Sequence, residues 1–400
     1  MKINGKPTLY LSQFLSNHNR SINIFPLTQQ RCYYFFSARY ALSAGIKAVG
    51  IEPDDAVLLP SYNCWTEIEP FLHAGIRIVY YRINSDLTIN FNDLLKKIKY
   101  TNKVKALLVT HFLGFPQPIE KIKDIFKESR LLLIEDCAHA FLSNANGKAL
   151  GSYGDISIFS LLKTLPVPHG GVLVINNQDI TYRHDAEDPN FFSTIYYAAE
   201  LLKNRTILDN NSYGEKITQI LYNGLYYSFS IVRMFLAGFR KYLHPSGLYL
   251  VRPDSYIFND NVCSWGMSAM SQAILSQTDF ERVKDIRRKN FQYLLDYFLE
   301  HARGDLPFRE LPRGVCPLFF PIVLKGPEQR ENLYQRLRER GVVTHPWWSR
   351  FNPAVPWEDF PDAVLLKQRL FGLPIHQDLT LKHMARIIEE FEKVYNKSGA

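Results

Sequence analysis

Along the first 180 residues the apolar positions fall into short runs separated by stretches of mixed polarity. Residues 57–59, 76–80, 104–110, 131–135, 156–160 and 171–175 are almost wholly apolar over three to seven positions and predict buried strands. Between several of them, residues 39–49, 65–73, 91–99 and 118–129 repeat apolar side chains at three- and four-residue intervals, the spacing of helices with one buried face. Strands alternating with helices predict an α/β fold, a mainly parallel mixed sheet sandwiched by helices. Ligands of such sheets bind beyond the carboxyl ends of the strands. Asp136 and Ser160 fall at such ends and His111 follows one directly, so a site is expected where the three converge.

The pattern changes after residue 176. Residues 180–260 are rich in Tyr, Phe and Leu without readable strands, and predict a helical insertion or interface region. Residues 217–232 carry no charge but are too short, and too interrupted by Gln219, Asn223 and Gly224, to span a bilayer. Lys216, Arg233, Arg240 and Lys241 flank the run. It therefore reads as a helix buried against the sheet or a subunit, ahead of an interfacial helix touching a membrane. From 261 a smaller C-terminal α+β domain is expected, with a helix at 278–303, a strand at 318–324, a helix at 328–340 and a terminal helix near 380–396. The domains are thus read as 1–260 and 261–400.

Composition narrows the function classes. With 46% hydrophobic residues, 400 positions are ample for both units. The opening Met1-Lys2-Ile3-Asn4-Gly5-Lys6-Pro7 is not followed by an apolar stretch, so no signal peptide is expected. Five widely spaced cysteines suggest neither a disulfide framework nor a metal site, and point to a reducing cytoplasm. A net charge of +8 suits an anionic substrate, but the lysines and arginines are dispersed, which argues against nucleic acid. Neither Gly-x-Gly-x-x-Gly nor a phosphate loop of the Gly-x-x-x-x-Gly-Lys type occurs.

The chemistry centres on Lys163. The strand at 131–135 leads into Asp136, the strand at 156–160 ends in Ser160-x-x-Lys163, and Gly170-Gly171 opens the next strand. A lysine delivered by a strand end into a partly dry site can lose its proton and attack a carbonyl. An aspartate at a neighbouring strand end can hold a protonated pyridine nitrogen, the combination expected for pyridoxal 5′-phosphate (PLP). Each residue alone reads equally as a surface lysine or a capping carboxylate. Their order and convergence favour the cofactor site.

The chain resembles the DegT/StrS family of PLP-dependent sugar aminotransferases, of the aspartate-aminotransferase fold (fold type I). The resemblance rests on Ser37-Ala38-Arg39-Tyr40-Ala41-Leu42, Leu59-Pro60-Ser61-Tyr62, His111-Phe112-Leu113-Gly114-Phe115-Pro116, Glu135-Asp136-Cys137-Ala138-His139-Ala140, Gly154-Asp155, Phe159-Ser160, Gly170-Gly171 and Leu373-Pro374-Ile375-His376. It implies Lys163 and Asp136 as the catalytic pair. Ala38 and Arg39 at a helix N-terminus, with Ser160, would hold the phosphate, and His139 would lie near the ring or its phenolic oxygen. The flat cover over the ring falls to Cys64, at the family's aromatic position, or to Trp65 or Tyr62. Lys163 follows Ser160 by three residues where many family members have five, yet keeps the seven-residue distance to Gly170.

Substrate contacts are expected from His111, Asn261, His345 and His376. The region 259–267 lacks the arginine that the family contributes from a partner chain, although a homodimer is still implied. The activity implied is transfer of an amino group, from a donor such as glutamate, to a keto group of a nucleotide-linked sugar, in polysaccharide or glycoconjugate biosynthesis. The alternatives are a PLP-dependent sugar dehydratase or other lyase, and a non-catalytic interaction protein on the same fold. Dehydratase relatives often replace the lysine by histidine, which sets Lys163 against the first.

Overall fold

Strand β2 (Ala56–Pro60) is buried at every position, as a strand covered on both faces must be. In the computed structural model, which describes residues 2–10, 21–126, 131–203 and 258–396 with six isolated positions between 220 and 231, it lies inside a seven-stranded sheet. The other strands are β1 (Cys32–Phe35), β3 (Arg77–Tyr81), β4 (Val104–Thr110), β5 (Leu132–Asp136), β8 (Ile156–Ser160) and β9 (Gly171–Ile175), in the order β1-β9-β8-β5-β4-β2-β3. A two-residue hairpin, β6 (Asn144–Ala145) with β7 (Lys148–Ala149), sits between β5 and β8. Strands β3, β2, β4, β5 and β8 run parallel, whereas β9 is antiparallel to both β8 and β1.

The crossovers are helical: α1 (Ala38–Ala48), α2 (Trp65–His73), α3 (Phe91–Tyr100) and α4 (Ile119–Phe126), with a single turn α5 (Leu161–Thr164) after β8 and α6 (Phe191–Lys203) after β9. Helix α1 packs against the sheet through Gly45, where any Cβ would lie 2.8 Å from Ile156 Cδ1. Each large apolar side chain buried between helix and sheet contributes roughly 1.5–3 kcal/mol.

Beyond 261 come α7 (Ala269–Gln277), α8 (Phe280–His301), β10 (Phe320–Val323), α9 (Pro327–Glu339), α10 (Pro361–Arg369), β11 (Leu370–Leu373) and α11 (Leu381–Tyr395). β10 and β11 pair antiparallel. A second apolar cluster, built on Phe291, Phe298, Phe320, Phe371 and Phe391, lies under this pair. Residues 262–283 and 355–370 also send side chains into the first core.

The expected strands of the first half appear within a residue or two. Strands β1 and β11 and helices α7 and α10 escape the pattern because each is short, four residues for the strands and nine for the helices. Of the 180–260 region, α6 is described; the expectation for the uncharged run 217–232 lies outside the described residues apart from the six isolated positions. Among the described residues no helix is long and apolar enough to cross a membrane.

Candidate active site

The carboxyl ends of β4, β5 and β8 and the start of α1 enclose a cleft of about 240 Å³. Alternation along β5 explains how two adjacent carboxylates serve different ends. Glu135 turns away from the cleft and accepts hydrogen bonds from the backbone N–H groups of Gly151, Tyr153 and Gly154 at 2.9, 2.7 and 2.6 Å, tying down the turn before β8. Gly154 is required there, since a Cβ would meet Leu133 O at 2.7 Å. Asp136 turns into the cleft, buried, with Oδ1 accepting from the N–H of Ala138 at 2.7 Å.

Asp136 has a neighbour that the sequence did not single out. Glu67, at the third position of α2, is buried in the cleft wall, where it accepts a 2.6 Å hydrogen bond from Thr110 Oγ1 and one from the Cys64 N–H. Burial and the Asp136 charge push the Glu67 carboxyl up to about 8, so it keeps its proton at neutral pH and donates it to Asp136. Burial also raises Asp136, opposed by the charge of Lys163 and by the hydrogen bonds from Ala138 and Glu67. The pair holds one proton, with the charge on Asp136 facing Lys163. No motif marks Glu67; only the return of α2 onto β4 and β5 brings it there.

Lys163 lines the cleft from α5, and its charge acts on Asp136, His139 and Lys6. His139 Nδ1 accepts from the N–H of Leu113 at 3.3 Å, which leaves the proton on Nε2. Burial and Lys163 hold the ring neutral, well below the usual histidine range. Its Nε2 is buried without a partner among the described residues.

Ser37 and Ser160 occupy the N-cap positions of α1 and α5, yet neither side chain makes a capping bond, and both line the cleft beside Ala38 and Arg39. Gly171 explains the Gly-Gly pair: a Cβ there would lie 2.1 Å from the Ser37 carbonyl carbon and 2.5 Å from the Ala38 nitrogen. The backbone of β9 thus supports the α1 N-terminus from behind.

Several expectations need correction. Trp65 points out of the cleft, its Nε1–H bonded to Glu69 at 2.7 Å, because Cys64 is the N-cap and the helix begins to turn there. Tyr62 is buried beneath, its hydroxyl on the Trp347 carbonyl. Cys64 does line the cleft, and the aromatic side chain that lies against His139 there is Trp348, tilted with ring centres 4.9 Å apart. Lys367 holds that loop: its buried ammonium donates to the carbonyls of Asn63, Trp348 and Arg350 at 2.9, 3.0 and 3.0 Å.

His111 cannot contact a substrate, for it is fully buried, donating from Nε2 to Glu135 at 3.1 Å while Nδ1 accepts from Gln117 at 3.0 Å. His111, Glu135 and Cys137 cluster closely enough to suggest metal ligation, but these hydrogen bonds already engage the histidine and the carboxylate. His376 is likewise buried, between the Asn4 carbonyl and the Asp378 N–H. His345 faces a separate depression with Trp65 and Trp347. Asn261 is exposed on a turn outside the cleft.

The mixed sheet of this order, with a lysine and a buried aspartate at its carboxyl edge, has the fold of solved aminotransferase structures. Residues 27–186 match the model of the DegT/DnrJ/EryC1/StrS aminotransferase family. Over 143 residues it is 33% identical to a GDP-perosamine synthase of Escherichia coli O157:H7, covering 35% of this chain and 39% of that protein. The match to the corresponding Vibrio cholerae protein likewise spans only 38% of its length. A dTDP-4-dehydro-2,3,6-trideoxy-D-glucose 4-aminotransferase of Saccharopolyspora spinosa is 24% identical over 375 residues, 91% of this chain and 84% of that one. The aminotransferase TlmJ from Streptoalloteichus hindustanus shares the fold with a TM-score of 0.63 at 19% identity, over 100% of both chains.

The cleft fits the family's cofactor on its own chemistry. Among the described residues it presents an amine, a carboxylate for a ring nitrogen, an imidazole N–H without a partner, and two serine hydroxyls that make no capping bond beside a helix N-terminus.

Proposed function

We propose that this chain is a PLP-dependent aminotransferase that moves an amino group, from glutamate, to a keto group of a nucleotide-linked sugar. The reading includes a homodimer working in the cytoplasm on the way to a polysaccharide or glycoconjugate. It also divides the chain near residue 260, with the second unit lending Trp348 to the cleft. The observation that carries it is the placement of Lys163 and Asp136 in one cleft within the family segment.

When bound, PLP supplies an aldehyde for the amine and an electron-accepting ring. Lys163 Nζ would hold the cofactor and then, released, take a proton from the substrate carbon and give one back. Asp136 would keep the ring nitrogen protonated, with Glu67 steadying its charge. Ser37, Ser160 and the first amides of α1 would bind the phosphate, with Arg39 adding charge at the same end. His139 Nε2–H would donate to the ring oxygen, and Trp348 would keep water from that face. Fully buried electrostatic contacts of this kind act more strongly than they do in water.

Mixing the PLP-loaded protein with glutamate tests the reading. Release of 2-oxoglutarate with loss of the cofactor's absorbance is the expected result. A loaded protein that leaves glutamate unchanged would refute transfer from that donor.

A further inference from the structure

The cleft contains a second lysine, contributed by the extreme N-terminal segment. Residues 3–8 are fastened along the C-terminal unit on both sides of Lys6. The Ile3 N–H donates to the Gly341 carbonyl at 2.7 Å, and the Val343 N–H donates to the Ile3 carbonyl at 2.9 Å. The Asn4 carbonyl accepts from His376 Nε2 at 3.0 Å, and the Thr8 N–H donates to Asp378 Oδ2 at 2.7 Å. Gly5 lies so close to His345 that a Cβ would stand 2.4 Å from its Nε2. These anchors leave Lys6 one direction to extend, into the cleft that Lys163 enters from the other unit.

The Lys6 side chain is open to the water of the cleft although protein surrounds it. Burial and the charge of Lys163 lower its affinity for a proton, opposed only by Glu200 on α6. Among the described residues no carboxylate lies within 4.0 Å of its ammonium. Three cations, Lys6, Arg39 and Lys163, line this small cleft, and with Asp136 as the charged carboxylate beside Lys163 they leave an excess of positive charge that includes Lys6. An anion entering there would offset that repulsion.

We propose that Lys6 is a substrate-anion-binding residue of this cleft, taking a carboxylate or phosphate oxygen of the incoming substrate. This rests on reading the cleft as the site of amino transfer. It explains why an N-terminal segment with no motif is held by four backbone-level attachments. The shared chemistry is a charge-assisted N–H···O⁻ bond, available to the carboxylate of an amino donor or to the diphosphate of a nucleotide sugar.

Full-length PLP-loaded protein and its Lys6→Met and Lys6→Arg variants would be titrated calorimetrically with maleate, a dicarboxylate that cannot react, and with uridine diphosphate. Lys6→Met should weaken one of them about 10- to 100-fold, the range for losing a hydrogen bond to a charged group. Lys6→Arg should recover most of that loss. Weakened maleate assigns the residue to a carboxylate; weakened uridine diphosphate assigns it to a phosphate. If Lys6→Met binds both as the parent does, or the parent binds neither, the proposal is overturned. Unchanged melting temperature in both variants excludes a role in the fold alone. Borohydride labelling of the parent separates the two readings: absence of a pyridoxyl tag on Lys163 contradicts the catalytic assignment and leaves the Lys6 titrations to be judged on their own.

Discussion

Glu67 keeps its proton and directs it in a hydrogen bond toward Asp136 at the wall of the cleft, so that two carboxyl groups on different elements carry a single negative charge between them. The arrangement makes the fold's stability depend on pH. Glu67 retains its proton up to about pH 8 in the folded protein against an ordinary 4.5. Its raised folded-state pKa contributes stability that is fully present below the ordinary value and is lost as pH rises through about 8. The melting temperature of cofactor-free protein should therefore fall between about pH 5 and pH 8.5. Glu67→Gln keeps a neutral donor toward Asp136 and should flatten that fall; identical slopes in parent and variant would show that the proton is not shared.

Lys163→Ala should reduce transfer to below about a thousandth of the parent rate, given the loss of both the cofactor's amine partner and the proton carrier. The melting temperature should change little, because Lys163 is only half-buried at the cleft wall and makes no hydrogen bond among the described residues. Peptide mapping after borohydride reduction supplies the direct check: the pyridoxyl label belongs on the peptide containing residue 163 in the parent and disappears in the variant.

Gly171→Ala tests the support behind the proposed phosphate cradle. Its new methyl would press on the Ser37–Ala38 backbone, which has no flexible end to yield. Overpacking of this kind costs about 1–3 kcal/mol. Cofactor affinity, measured by PLP titration, should fall together with the melting temperature. A variant that binds PLP as the parent does would separate Gly171 from the cradle.

Lys367→Met removes the donor that ties Asn63, Trp348 and Arg350 together. Leaving buried carbonyls without a partner costs about 1–3 kcal/mol each, less where water reaches them. Burial lowers the ammonium to about 8, which marks how little solvent screens it. Urea denaturation of the parent and variant at pH 7 should show the loss, and Trp348 should become accessible to a collisional quencher. Unaltered stability would mean the loop holds itself.

The active-site elements differed in how openly they showed themselves. Asp136, Ser160 and Lys163 stand at or just after strand ends, and a strand end is visible as the point where an apolar run stops. His111 stands at a strand end too, but the side of the strand it faces depends on Gln117 and Glu135, neither of which the pattern connects to it. Trp65 was closer in sequence to the expected aromatic position than Trp348, yet helix α2 carries it outward and a loop about 280 residues later fills the place.

Local order along the chain determined the alternation of strands and helices, the parallel sheet and the carboxyl-edge location of a lysine and an aspartate, because each depends on neighbouring side chains and on short-range geometry. Tertiary packing alone decided that Glu67 shares its proton with Asp136, that Trp348 covers His139, and that Lys6 enters the cleft from the chain's far end. Those three juxtapositions bring together residues 69, 209 and 157 positions apart, the last counted from Lys6 to Lys163, and no periodicity or motif encodes a meeting at such separations. They arise only when distant parts of the chain close around one cavity and the burial of each charge depends on what the others bring.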